Sequence, residues 1–196
     1  MANVLIPIAE GCEELEAVTI IDLLRRADIE VTTASLGGFQ EDGSTVSPVT
    51  ASRGVVLIPD TTLDEAIALY SKNQCFDMII LPGGLPGADH LDNDPRIHSL
   101  LKSMAGEDKY TAAICAAPKV LANANLLEGK SATSYPGFIE KMDLANTQFK
   151  EDAVVIDGKV FTSRGPGTAM DFALAIIEIL VGKDKRDEVA AGLLWK

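Results

Sequence analysis

The sequence predicts an α/β fold, a doubly wound and mostly parallel sheet with helices on both faces. Three observations carry this. Short β-branched or apolar runs alternate with longer segments of helical period, the rhythm of βαβ units. One run, Met78-Ile79-Ile80-Leu81, is apolar without interruption, as a strand buried on both faces must be. The length of 196 residues, 47% of them hydrophobic, suits one domain spanning 1–196 with a substantial core.

Taken in order, the chain opens with a strand at 4–8, a turn at Glu10-Gly11-Cys12, and a helix carrying Ala17, Ile20, Ile21 and Leu24 on one face. A strand at 30–35 completes this unit. After a stretch rich in Gly and Ser at 37–47, runs at 49–51 and 55–58 pair as a hairpin or form separate edge strands. Thr62-Leu63-Asp64-Glu65 fits a capping box, in which hydroxyl and carboxylate each satisfy an orphan backbone donor, and the helix it opens ends near Tyr70. The strand at 78–81 stops at a flexible turn, Pro82-Gly83-Gly84. Asp94-Pro95 supplies an N-cap and a proline at the first helical position for a helix through about Met104. A buried strand follows at 111–114, then Cys115 directly, then a helix from about Pro118 to Leu126. Runs at 154–156 and 160–162 flank Asp157-Gly158-Lys159 as a hairpin. The segment 163–168 leads into a helix reaching Val181, with Gly182 as its cap, and a short helix over 186–194 finishes the chain.

Composition excludes several classes. With 17 Lys+Arg against 29 Asp+Glu, the net charge of −12 repels nucleic-acid phosphates and anionic lipid, so neither is an expected partner. The first residues have no basic start, and their apolar run breaks at Pro7 and Glu10, so no targeting segment is expected. No stretch approaches the roughly 20 apolar residues of a membrane span, and a cytoplasmic location follows as the expectation. Cys12, Cys75 and Cys115 are odd in number and lack metal-ligand spacing, which suggests neither a disulfide framework nor a metal site.

Four segments that follow predicted strands, 10–16, 82–87, 115–118 and 163–168, should converge on the rim where doubly wound sheets bind ligands. A thiol at a strand-to-helix junction can be exposed by the turn, while the helix N-terminus favours its thiolate. The N–H after such a nucleophile can help to form an oxyanion hole, and here that residue is Ala116. Position alone leaves a second reading open: Cys115 is a small buried hydrophobe packed among Ala113, Ala116 and Ala117.

The chain resembles the ThiJ/PfpI superfamily, whose domain is class I glutamine amidotransferase-like, and within it the branch of the parkinsonism-linked deglycase and the bacterial ThiJ-like proteins. The resemblance rests on Ala9-Glu10-Gly11-Cys12-Glu13-Glu14-Leu15-Glu16-Ala17-Val18, Ala51-Ser52-Arg53-Gly54-Val55, Leu81-Pro82-Gly83-Gly84 with Gly87-Ala88, Ala112-Ala113-Ile114-Cys115-Ala116-Ala117-Pro118, and the segment 162–168. It implies a flavodoxin-like fold, a homodimer, a nucleophile at Cys115, a partner carboxyl at Glu16, and backbone donors from Gly84 and Ala116. Gly83, Tyr135, Arg53, Pro166 and Cys12 are the further pocket candidates. A carboxyl against a thiol cannot comfortably ionise along with it, so a protonated Glu16 could donate to the thiolate and later act as general acid or base. Alternatively Glu16 complements the dipole of the helix it opens, as Glu14 is expected to do.

Departures from the family pattern narrow the reaction. Peptidase members place His directly after the nucleophile, where this chain has Ala116. Other members carry Thr-His-Pro where this chain reads Thr133-Ser134-Tyr135-Pro136, and a phenol is a poor base near neutrality although its hydroxyl can donate. His90 and His98 read as structural or solvent-facing. Cys12 could resolve an oxidised Cys115 as a disulfide, provided the two Cα atoms come within about 7 Å, or could simply fill a tight turn. Cys75 reads as packing, and Arg53 and Arg164 either hold a dimer, attract an anion or lie solvated.

The resemblance thus implies a glyoxalase- or deglycase-like enzyme acting on small carbonyls such as glyoxal and methylglyoxal, or their adducts, without a cofactor. The alternative is a non-enzymatic oxidative-stress sensor or chaperone working through oxidation of Cys115. A flavin carrier is disfavoured because Glu10, Glu13 and Glu14 would repel a phosphate after the first strand.

Overall fold

The computed structural model describes residues 1–37, 46–70 and 76–195. Its centre is a seven-stranded sheet built from β1 (Asn3–Ile8), β2 (Glu30–Ser35), β5 (Thr61–Thr62), β6 (Met78–Leu81), β7 (Tyr110–Ile114), β10 (Val154–Asp157) and β11 (Val160–Ser163), in the order β10-β11-β7-β6-β1-β2-β5. Every neighbouring pair is parallel except β10 and β11, which form the expected antiparallel hairpin around Gly158 at φ 61°. The predicted fold class is therefore the observed one.

Helices cover both faces: α1 (Glu14–Arg26), α2 (Leu63–Tyr70), α3 (Leu85–Asn93), α4 (Pro95–Gly106), α5 (Pro118–Asn123), α6 (Ala169–Val181) and α7 (Lys183–Gly192). The strands divide their side chains by the two-residue period of the pleat. Leu5, Ile79, Leu81 and Ala113 face a core shared with α2 to α5, whereas Val4, Ile6, Met78, Ile80, Ala112 and Ile114 face one shared with α1 and α6. That double burial is why 78–81 reads as an uninterrupted apolar run.

The runs near 49–51 and 55–58 form a hairpin, β3 (Val49–Thr50) with β4 (Val56–Leu57), as a separate two-stranded sheet. The capping box is present: Thr62 Oγ1 accepts from the Glu65 N–H at 3.2 Å, and Glu65 Oε2 accepts from the Thr62 N–H at 3.3 Å. Asp94 caps α4 by accepting from the Arg96 N–H at 2.9 Å.

Several expectations need correction. The turn after Leu81 is followed at once by α3, which the Pro86-Gly87 pair conceals in the sequence, since Pro is tolerated in a helix's first turn. Helix α5 ends at Asn123 rather than near Leu126, because Asn125 turns left-handed at φ 61° and the Leu126 N–H folds back onto the Leu121 carbonyl. The final helix starts three residues earlier than the sequence suggests, at Lys183. On α1, Leu23 is buried where Ile21 was expected, and Ile21 is only half-buried. A short parallel pair, β8 (Ser131–Ala132) with β9 (Gln148–Phe149), is not foreseen. Most of the Gly- and Ser-rich stretch and Cys75 lie outside the described residues. Among the described residues no helix is long and apolar enough to cross a membrane.

The sheet order reverses at β1, with β2 added on one side and β6 on the other. Outside the carboxyl ends of β1 and β6 the connections leave in opposite directions and open a crevice.

Candidate active site

Cys115 stands at the carboxyl end of β7, beside that crevice. Its backbone is left-handed, φ 65°. Among the described residues, the other non-glycine residues sharing that conformation are Asp28, Asp108, Asn125, Asn146 and the near-terminal Leu194; Asp and Asn tolerate it, whereas for a half-buried cysteine it is strain of about 1–3 kcal/mol held by the surroundings. Two hydrogen bonds hold it: the Cys115 N–H donates to the Ser163 carbonyl at 3.0 Å, and the Cys115 carbonyl accepts from the Tyr135 N–H at 2.8 Å. This is the sharp strand-to-helix turn that a nucleophile elbow requires.

Glu16 comes from the first turn of α1 and is completely buried. Its Oε2 accepts from the Gly83 N–H at 2.9 Å, and its Oε1 is buried without a hydrogen-bond partner. Gly83 leaves room for this contact. A Cβ there would lie 2.6 Å from both the Cys115 Cβ and Glu16 Oε2, so only glycine lets thiol and carboxyl meet across that turn. Gly84, at φ 88°, could not bear a side chain either, because its Cβ would run into the Gly11 carbonyl oxygen and lie 2.6 Å from the Glu13 nitrogen. The Glu13 N–H in turn donates to the Gly83 carbonyl at 3.0 Å. The Gly83 peptide is thus gripped by residue 13 on one side and by Glu16 on the other.

Burial pushes the Glu16 carboxyl up to about 7, against the downward pull of the Cys115 and Gly83 hydrogen bonds. Cys115 is pushed up to about 12 by burial first and then by the neighbouring Glu16 charge, while the backbone N–H groups of Gly84 and Ala116 pull it down. The pull of these two backbone groups does not outweigh burial and a charged Glu16. The pair titrates as one system that takes one charge near neutrality and resists two.

The remaining candidates separate into two groups. Tyr135 and Pro166 lie together in a depression of about 300 Å³ beside the Cys115 turn. Arg53 and Cys12 do not line that depression. The Arg53 N–H donates to Glu14 Oε1 at 2.8 Å and its guanidinium to the Ser52 carbonyl at 3.2 Å, which ties it to the tip of the β3–β4 hairpin. Cys12 is buried, and burial first, then the charges of Glu14 and Glu10, push its thiol up to about 12, so it is a poor attacking thiolate. Both Cys12 and Cys115 are free thiols. His98 Nε2 sits 2.7 Å from the Asp92 carbonyl oxygen, a structural contact between helices, and His90 is exposed.

Glu14 departs from its expected part. Rather than merely facing the helix dipole, its carboxylate accepts from Ser52 Oγ at 2.9 Å and from the Arg53 N–H, and Glu13 accepts from the same hydroxyl at 2.8 Å. Burial pushes Glu14 up, but these hydrogen bonds together hold it below the usual carboxylate range. Ser52 has no sequence signal beyond its place in the Ala51-Ser52-Arg53-Gly54 block. Among the described residues no cluster of His, Cys, Asp and Glu could hold a metal.

Residues 2–179 match the model of the DJ-1/PfpI family. The chain is 42% identical over 193 residues to protein dj-1beta of Drosophila melanogaster, covering 98% of this chain and 96% of that one. It is 43% identical over 195 residues to protein DJ-1 homolog A of Arabidopsis thaliana, covering 99% of this chain and 47% of the relative; the chain spans about half the length of the Arabidopsis relatives it matches. It is 36% identical over 188 residues to glutathione-independent glyoxalase DJR-1.2 of Caenorhabditis elegans, covering 96% and 92%. The crystal structure of Drosophila melanogaster DJ-1beta superposes with a TM-score of 0.87 at 42% identity, covering 100% of this chain and 98% of that one.

Proposed function

The chain belongs to the DJ-1/PfpI family, and from that premise we propose that it is a cysteine-dependent enzyme of the glutathione-independent glyoxalase or deglycase type. Its substrates are small reactive carbonyls such as glyoxal and methylglyoxal, or their adducts on protein amines and thiols. The observation that carries the proposal is that the wholly buried Glu16 carboxyl and the Cys115 side chain converge on Gly83, where a Cβ would lie 2.6 Å from each and nothing larger than glycine fits.

One negative charge belongs to the pair, and the sulfur is the better seat for it. Cys115 is half-buried and has two backbone N–H groups turned to it, whereas Glu16 has no solvent and one N–H. The thiolate attacks the aldehyde carbon of methylglyoxal, and the proton on Glu16 goes to the aldehyde oxygen as the hemithioacetal forms. The N–H groups of Gly84 and Ala116 stabilise that oxygen while it carries charge. Glu16, now a carboxylate, removes the proton from the former aldehyde carbon and returns it to the adjacent carbon, while the hydroxyl proton passes from the first oxygen to the neighbouring one through the enediol, leaving a lactoyl thioester. Water, deprotonated by Glu16, cleaves the thioester; lactate leaves and the thiolate with its protonated carboxyl is restored. The net reaction adds one water to methylglyoxal. Neither a histidine base nor a bound cofactor is required.

We further take the working form to be a cytoplasmic homodimer with a stress-protective role. Exposed Val18 on α1 and Leu57 and Ile58 of the hairpin line one surface depression, which supports a self-association face there. A sensor or chaperone role would use the same sulfur through its oxidation.

Incubation with methylglyoxal should yield lactate from the wild type and none from Cys115→Ser. Glu16→Gln should lose a factor of about 10² to 10⁴ in kcat, the usual span for a general acid–base group. Equal turnover by wild type and Cys115→Ser would refute the reading, and mass spectrometry after graded peroxide would show whether sulfinic acid at Cys115 is the alternative fate.

A further inference from the structure

We propose that Thr168 is a positioning residue for the reaction: through the hydroxyl of Ser163 it locks the backbone carbonyl that holds Cys115 in its left-handed turn. The inference deepens the function proposed above. It rests on Cys115 being the nucleophile, and not on which carbonyl compound that nucleophile attacks.

The lock starts at the amide of the nucleophile, whose N–H donates to the Ser163 carbonyl at 3.0 Å. A cysteine stays at φ 65° only where its surroundings impose it, so the place of that carbonyl decides where the sulfur stands. Ser163 ends β11, lies opposite Ile114 in the register and is completely buried. Beyond it the ladder stops, and the side-chain hydroxyl takes over. Ser163 Oγ donates to the Ala153 carbonyl at 2.7 Å, and Thr168 Oγ1 lies 2.7 Å from it. A serine hydroxyl carries one hydrogen. With that hydrogen on Ala153, Ser163 Oγ can only accept from Thr168. Thr168 Oγ1 in turn accepts from the Gly165 N–H at 3.1 Å, and the Gly165 carbonyl at 3.0 Å is a second, longer acceptor for its hydrogen. A directed chain of hydroxyls thus runs from the start of α6, through the end of β11, to the residue before β10.

Thr168 makes these bonds in place of an ordinary one. It occupies the N-cap of α6, where a threonine hydroxyl usually accepts an N–H from the first turn of its own helix. Here the side chain makes no cap bond and turns back over the segment 163–168 instead. Without its hydroxyl, Ser163 Oγ loses a donor and the Gly165 N–H loses an acceptor. The strand end is then free to shift, and Cys115 relaxes from its positive φ. The sulfur leaves the backbone N–H groups of Gly84 and Ala116, which favour its charged form.

The test is the pH profile of Cys115 alkylation by iodoacetamide, followed by mass spectrometry of the Cys115 peptide, in wild type, Thr168→Val, Thr168→Ser and Ser163→Ala. Thr168→Val keeps the shape and removes the hydroxyl. Its profile should move to higher pH by about one unit, the scale of one lost hydrogen bond to a charged group. Ser163→Ala should move it as far, and Thr168→Ser should restore the wild-type profile. Thr62→Ala removes a cap at the opposite edge of the sheet and should leave the profile where it is. Equal movement in Thr62→Ala, or no movement in Thr168→Val, would overturn the proposal. Hydrogen exchange of the Cys115 amide reads the lock without any reactivity. It should quicken about tenfold in Thr168→Val and stay unchanged in Thr168→Ser. If wild-type Cys115 alkylates with the midpoint of a free thiol, the proposed function fails, and the lock then stands or falls on that exchange rate.

Discussion

The proposed chemistry rests on Glu16, a carboxyl placed where water cannot reach it. Its folded-state value near 7 lies above the ordinary 4.5, so the folded Glu16–Cys115 pair keeps a proton that the unfolded chain sheds between those two pH values, whichever of the two groups then carries the charge. Stability from this group is complete below 4.5, falls as pH rises through that window, and is flat above about 7. A gap of about 2.5 units corresponds to roughly 3 kcal/mol. Glu16→Gln stays neutral, can accept from Gly83 with its amide oxygen and donate to the sulfur with its amide nitrogen. We therefore expect Glu16→Gln to gain on wild type by up to about 3 kcal/mol between pH 4.5 and pH 8 in urea denaturation, while losing activity. Parallel pH curves for the two proteins would mean that Glu16 is ionised throughout. The sequence offered Cys115 and Ala116 through their place after a predicted strand, and Glu16 and Gly84 through the resemblance to the family; the structure brings the four to one turn. The grip of Glu13 on the Gly83 carbonyl and the use of Glu14 to hold Ser52 and Arg53 were not, because acids three in a row at a helix start look alike until the partners arrive from elsewhere.

At the scale of elements, local chemistry predicted well wherever it was self-contained. The capping box of α2 closes within four residues, and both of its hydrogen bonds form. Thr62 is 93% buried and also ends β5, so Thr62→Ala removes a cap and leaves the Glu65 N–H without that acceptor. A loss of about 1 kcal/mol is expected, read as a lower urea midpoint at unchanged slope. No change would show that solvent replaces the cap. Helix α3 shows the opposite case. Its first turn holds Pro86 and Gly87, both of which read as turn, and its path is dictated by contact: a Cβ on Gly87 would lie 2.7 Å from the Cys12 backbone, and one on Gly11 would lie 2.6 Å from Pro86. Two turns that interlock through missing side chains cannot be recognised from either turn alone.

For the molecule as a whole, the order β10-β11-β7-β6-β1-β2-β5 brings the ends of β1, β6, β7 and β11 to one rim, which is why residues as distant as 16, 83, 115 and 163 meet. The face formed by α1 and the β3–β4 hairpin leaves Leu15, Val18, Val55, Val56 and Ile58 exposed. A charge introduced there should be harmless to a monomer and costly to an apolar dimer interface. Val18→Arg is accordingly expected to shift the protein from dimer to monomer in sedimentation velocity without altering its circular dichroism; an unchanged dimer would place the interface elsewhere.

By itself the sequence determined the strand-helix alternation, the doubly covered centre of the sheet, the two local caps and the thiol at a strand end, because each depends on neighbours within a few residues. Only the tertiary structure decided how deeply Glu16 is buried, which raises its proton affinity, and how Gly83 lets carboxyl and thiol touch. It likewise assigned Glu13 and Glu14 to the hairpin and gave Tyr135 its open flank over Gly165. Desolvation and close approach are properties of groups far apart in the chain, and they come into being when the sheet assembles.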